Sequence, residues 1–165
     1  MIPALFASVF IVLCLYAAVK DVETLTISNG LNAIIAFLFI PAVIITAPGW
    51  DVAGAHLLAG LAAFAISVLL FSLGVFGGGD AKMIPGVMLW LGPAAAIPFM
   101  TAMAVLGGLL ALTVIFARRF VPAHIAPAFA RETLLPGNGV PYGVAIAGGA
   151  IYAMPFSPLL SYLNF

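Results

Sequence analysis

Residues 52–91 read VAGAHLLAGLAAFAISVLLFSLGVFGGGDAKMIPGVMLWL. From Val52 to Phe76 no Asp, Glu, Lys or Arg interrupts the apolar run. A membrane-crossing helix needs about 20 such residues, within a range of about 17–25. Gly77-Gly78-Gly79-Asp80 then breaks the pattern, and a shorter apolar run from Ala81 to Leu91 ends at Gly92-Pro93. The stretch predicts two membrane helices joined by a glycine-rich turn that carries an acid.

The same ruler, moved outward, gives further spans at 2–19, 31–45, 95–117 and 140–160, with Pro41 as a kink in the second of the six. Ser28 or Asn29 is a candidate cap for the helix that starts near Leu31. The predicted fold is all-α: a polytopic membrane protein of six transmembrane helices in one domain, residues 1–165. Composition agrees. The 165 residues are 65% hydrophobic and 6% charged, with a mean hydropathy of +1.31. Soluble domains average about 25% charged residues, so most of this surface must face lipid.

Five Lys/Arg balance five Asp/Glu, which gives no basic excess for nucleic acid. Cys14 is the single cysteine. It excludes a disulfide within the chain and a Cys-rich zinc site, and reads as a small apolar filler. No metal or cofactor is expected. The first lysine, Lys20, follows the first apolar run instead of preceding it, so that run reads as a span and not a cleaved signal.

Six alternating spans place Lys20, Lys82, Arg118, Arg119 and Arg131 on one side, which the positive-inside rule makes cytoplasmic, with both termini outside. Asp21, Glu23, Asp80 and Glu132 fall on that side, and Asp51 falls on the other. Asp80 at the membrane edge is a functional candidate. The glycines before it let another backbone approach. Asp21 is either a helix-end anchor or a partner for Asp80 at the same depth. Two close carboxylates share a proton. One member can then activate water while the other serves as acid.

Other groups are less suited to chemistry. His56 and His124 belong to no HExxH pattern, and no GxSxG elbow occurs. His56 reads as pore-facing or interfacial. Glu23 either contacts a basic substrate segment or is a solvated charge. Lys82 either tunes Asp80 or obeys the positive-inside rule. Arg118 and Arg119 read as surface anchors, and the 118–139 connection, with Ile125, Phe129 and Leu134, as an interfacial segment. Gly148-Gly149 suits close helix packing.

Gly77-Gly78-Gly79-Asp80-Ala81-Lys82-Met83 resembles the GxGDxKL signature of type IV prepilin peptidases. Asp21 through Asn29, then Leu31, resembles the family's first catalytic region, and Pro141-Tyr142-Gly143 its C-terminal Pro-Tyr-Gly element. The resemblance implies an aspartic endopeptidase of the bacterial inner membrane. Asp21 and Asp80 would be catalytic, and Gly77, Gly79, Lys82, Asn29, Pro141, Tyr142 and Gly143 would bind substrate or shape the site. The implied partners are a prepilin precursor (a leader peptide plus a hydrophobic helix, of Flp or type IV-like pili) and membrane lipid. Leader removal would occur at the cytoplasmic face. A lone Cys14 fits the short, peptidase-only CpaA/TadV-like branch. Ser28 stands where the family usually has proline and should loosen the loop before the second span. Glu23 stands where a basic residue is common. The rival readings are a small transporter or channel subunit, built on an Asp80–Lys82 ion site, and a non-catalytic pilus or secretion assembly protein.

Overall fold

The computed structural model describes residues 2–121 and 125–162, all helix and connecting turns without a strand. The main helices are α1 (Ile2–Thr24), α2 (Asn29–Thr46), α3 (Trp50–Ser72), α4 (Asp80–Leu91) and α5 (Ala96–Phe120). Three shorter ones follow: α6 (Arg131–Leu134), α7 (Gly143–Ala153) and α8 (Pro158–Tyr162). Four helices, Ala4–Thr24, Asn29–Thr46, Trp50–Ser72 and Ala96–Phe120, are long and apolar enough to cross a membrane. Where six such spans were expected, α4 and α7 have only 12 and 11 residues. The span expected over 140–160 breaks after α7, because Pro155 and Pro158 each remove a backbone donor. A 3-10 turn, Met154–Phe156, and α8 take its place.

The first span was expected to run to Val19, and α1 continues beyond it to Thr24. Lys20 and Glu23 pair across one turn at 2.7 Å, and the Thr24 hydroxyl bonds back to the Lys20 carbonyl at 2.9 Å. The ion pair favours helix over loop. Leu25 stops α1 with a left-handed φ of 52°. Asp21 therefore stands on the last turn of a rigid helix. Ser28 does not loosen the entry to α2. It is the N-cap, and its hydroxyl accepts the Leu31 N–H at 3.2 Å, which satisfies one of the orphan donors of the first turn.

α4 is the hub. Ala81, Met83–Met88 and Trp90–Leu91 are all buried, the pattern of a helix enclosed by protein instead of lipid. α2, α3, α7 and α8 pack around it. Enclosure lets α4 be short, since its last carbonyls find protein donors in place of water. The Leu89 carbonyl accepts from His56 Nδ1 at 2.9 Å, and the Trp90 carbonyl accepts from the Ser157 hydroxyl at 2.8 Å. His56 is thus a core residue, 1% exposed and stacked on Phe39, where a pore-facing or interfacial position was expected. The Leu89 carbonyl can only accept, so Nδ1 carries the proton.

Trp90 is wholly buried, stacks on Phe10 at 4.9 Å and donates its indole N–H to the Ile35 carbonyl at 2.8 Å. It links α4 to α1 and α2 at once. Trp90→Ala is expected to lower the unfolding free energy by about 3–5 kcal/mol, measured as a shift in unfolding midpoint in detergent micelles.

Candidate active site

Asp21 is 5% exposed, yet its carboxylate is not orphaned. Oδ2 accepts the backbone N–H of Gly143 at 2.7 Å. Gly143 is the first residue of α7, so the carboxylate sits at a helix N-terminus, where free N–H groups and the helix dipole favour negative charge. The Pro-Tyr-Gly element has a physical role here. The Pro141 carbonyl accepts the Val144 N–H at 3.2 Å and starts the helix. A Cβ on Gly143 would lie 3.0 Å from Asp21 Cβ, from Asp21 Oδ2 and from Ile27 Cδ1. Only glycine lets the donor come this close.

Asp80 opens α4, and its approach is built the same way. A Cβ on Gly77 would lie 3.2 Å from Asp80 Oδ2, and one on Gly79 would lie 3.1 Å from the Ile27 nitrogen. The first turn of α2 holds residues on both sides of Asp80. Asn29 Oδ1 accepts from Lys82 Nζ at 2.7 Å, and buried Asn32 donates through Nδ2 to the Gly79 carbonyl at 3.4 Å. Lys82 is therefore a strut between α4 and α2. Asn32 is a further positioning residue, and its signal in the sequence is an amide within the apolar run of α2.

The fold brings these pieces into one pocket of about 740 Å³. Asp21, Asp80, Gly77, Gly79, Lys82, Asn29 and Tyr142 line it, with Ile27 and Phe76 among its apolar walls. Pro141 and Gly143 stand behind the lining. Asp51 is in the first turn of α3, and a helix of 23 residues spans roughly 34 Å, so it belongs to the far end. Glu23, considered for a basic substrate segment, is engaged by Lys20. His124 lies outside the described residues.

Asp80 stands outside the four helices of spanning length. Burial, with the Asp21 charge added to it, raises its carboxyl from 3.8 to about 7. The shift has the sign expected for one of two like charges in a shielded site. An acid–base pair of this kind needs one proton on one of its members. Activity is therefore expected to fall on the alkaline side as pH rises through about 7, read from a pH profile of kcat/KM.

A clamp closes the pocket's outer rim. Arg118, expected as a membrane-surface anchor, instead gathers backbone carbonyls. Nε and Nη2 donate to the Thr133 carbonyl at 3.0 and 2.7 Å, and Nη2 reaches the Asn138 and Gly139 carbonyls at 2.9 and 2.8 Å. Thr133 in turn donates its hydroxyl to the Val22 carbonyl at 2.8 Å, one residue from Asp21. The 133–139 segment is thus tied both to α5 and to the helix end that carries Asp21. Within the same connection, Ile125 and Phe129 are exposed. Lysine keeps the charge of Arg118 but lacks the planar fork. Each charge-assisted hydrogen bond contributes about 1.5–3 kcal/mol. Arg118→Lys is expected to open the segment about tenfold more often, seen as faster protease nicking within 133–139 and mapped by mass.

Three comparisons bear on identity. No curated protein matches the chain, and no solved structure matches it. The model of the type IV leader peptidase family matches residues 8–112. That match takes in more than half of the 165 residues, both aspartates and the glycine loop. Its description is that of a peptidase, and the chain belongs to the type IV leader peptidase family.

Proposed function

We propose that the protein is a membrane-embedded aspartic endopeptidase that removes the leader of a prepilin-like precursor at the cytoplasmic face. One observation carries this reading: two carboxylates from separate helices, Asp21 on α1 and Asp80 on α4, line one pocket. The ionised member takes a proton from water, and the resulting hydroxide attacks the scissile carbonyl carbon. The protonated member hydrogen-bonds the carbonyl oxygen and stabilises its developing charge. It then gives its proton to the departing amine as the C–N bond breaks. The Gly143 N–H on Asp21 favours that residue as the ionised member.

The membrane arrangement supports the same substrate. With residues 81–91 of α4 and the α7–α8 arm taken as short crossings, the chain passes six times. Lys20, Lys82, Arg118, Arg119 and Arg131 then share the cytoplasmic side. A scissile bond at the start of an apolar helix would lie at that surface. The test is to reconstitute the protein in lipid vesicles with single-span pilin precursors and to read leader loss by mass. Release of the leader at one fixed bond is the expected result. An intact precursor, under conditions where the protein is folded, would overturn the reading.

A further inference from the structure

A second cavity, of about 290 Å³, opens on the apolar flank between α3 and α5. α3 packs chiefly on α4, and α5 chiefly on α7, so a gap remains between them, floored by Ile84 and Met88 of α4. The α3 wall presents Ala59, Ala63 and Ser67, four residues apart and so on one helical face. Ser67 is 1% exposed, lines the cavity, and makes no hydrogen bond among the described residues. A serine inside a helix commonly bonds back to the carbonyl one turn earlier. This one is left without a partner toward the groove. Phe76 lines both this groove and the pocket that holds Asp80, so the two spaces adjoin at its side chain. No charged residue lines the groove, whereas the pocket holds Asp21, Asp80 and Lys82.

We propose that this groove receives the apolar transmembrane helix of the substrate, docked through a small-residue face on Ala59, Ala63 and Ser67. At Phe76 that helix gives way to the extended segment that enters the pocket. The inference rests on the peptidase reading above and adds how the precursor is recognised. Small residues every fourth position let two helix backbones approach closely, and a serine hydroxyl between them bonds across the interface. A lipid acyl chain offers Ser67 no acceptor and gains nothing from a flat small-residue face. The step in charge at Phe76 matches a substrate that is apolar in the bilayer and polar beyond it.

The test uses the full chain in vesicles, with a benzophenone amino acid at Ile66 or Met100. Both line the groove and are 58% and 60% exposed, so the larger side chain is accommodated. Leu109, on α5 outside the groove and 57% exposed, is the control position. The probe is a synthetic precursor with a basic leader and an alanine-rich helix of about 20 residues. Precursor adducts from Ile66 and Met100 are expected to exceed those from Leu109 about tenfold, and Ala63→Leu is expected to suppress the Met100 adduct severalfold. Adducts with phospholipid alone, or equal precursor adducts at all three positions, would overturn the docking assignment. Leader release is read by mass in the same samples with wild-type Asp80. Release without groove adducts defeats the docking inference alone, and groove adducts without release defeat the peptidase reading alone.

Discussion

Asp80→Asn is expected to abolish leader removal, by about 10³-fold or more, and at the same time to yield a more stable protein at pH 8. The loss follows from the chemistry. An amide supplies neither the proton nor the base, and a positioned acid–base group accounts for about 10²–10⁴-fold in rate. Asp21→Asn should lose activity to the same extent, because each carboxylate supplies one half of the acid–base step. The stability gain follows from linkage. Burial and the Asp21 charge raise the Asp80 pKa from 3.8 to about 7. Its favourable neutral state is fully present below the unfolded value, and that stability is lost as pH rises through about 7. Asparagine is neutral throughout. At pH 5 the variant and the parent should therefore unfold closer together than at pH 8. Thermal unfolding in micelles at the two pH values, beside leader-loss assays by mass, checks both halves. Normal processing by either variant would remove the aspartate pair from the mechanism.

Gly143→Ala is expected to reduce kcat severalfold while the protein still folds, because even a shift of a few tenths of an ångström at a reacting group leaves the near-attack geometry less often populated. The added Cβ would meet Asp21 Cβ, Asp21 Oδ2 and the Ile27 side chain, all at 3.0 Å. Asp21 is fixed by α1, Ile27 by the turn into α2 and Gly143 by α7, so the clash resolves by moving the carboxylate off its 2.7 Å hydrogen bond. Losing that donor leaves the carboxylate free to turn away from the reacting geometry. KM should therefore change little while kcat falls, a split that a general loss of packing would not produce. An unaltered kcat would show that the Gly143 contact does not act on the chemistry.

The all-helical membrane fold was legible in the sequence because apolar length is a local property. Val52–Phe76 contains enough uncharged residues to span a bilayer whatever it packs against. The same rule overcounted at the end of the chain. Residues 140–160 are apolar throughout, yet prolines at 155 and 158 divide them. α4 is apolar because protein encloses it, which hydropathy cannot distinguish from lipid. Asp80 stood out in the sequence for its place after three glycines, and Asp21 for its place at the same membrane edge.

Their meeting did not follow from that. Depth alone leaves two helix ends anywhere on the membrane plane, and the pocket exists because α1 packs on α7 while α4 sits at the centre. The Gly143 contact spans 122 positions, and the Lys82–Asn29 contact spans 53. Arg118 illustrates the limit most plainly. Its charge at a helix end predicted a lipid headgroup, whereas the folded chain offered it three carbonyls of residues 133–139. The sequence by itself determined which residues carry charge, which segments are apolar and where the chain must turn, since these are properties of side chains and short spacings. Only the tertiary structure decided which of those charges share a pocket, because hydrogen bonds and close backbone approaches between distant segments exist only once the helices have packed.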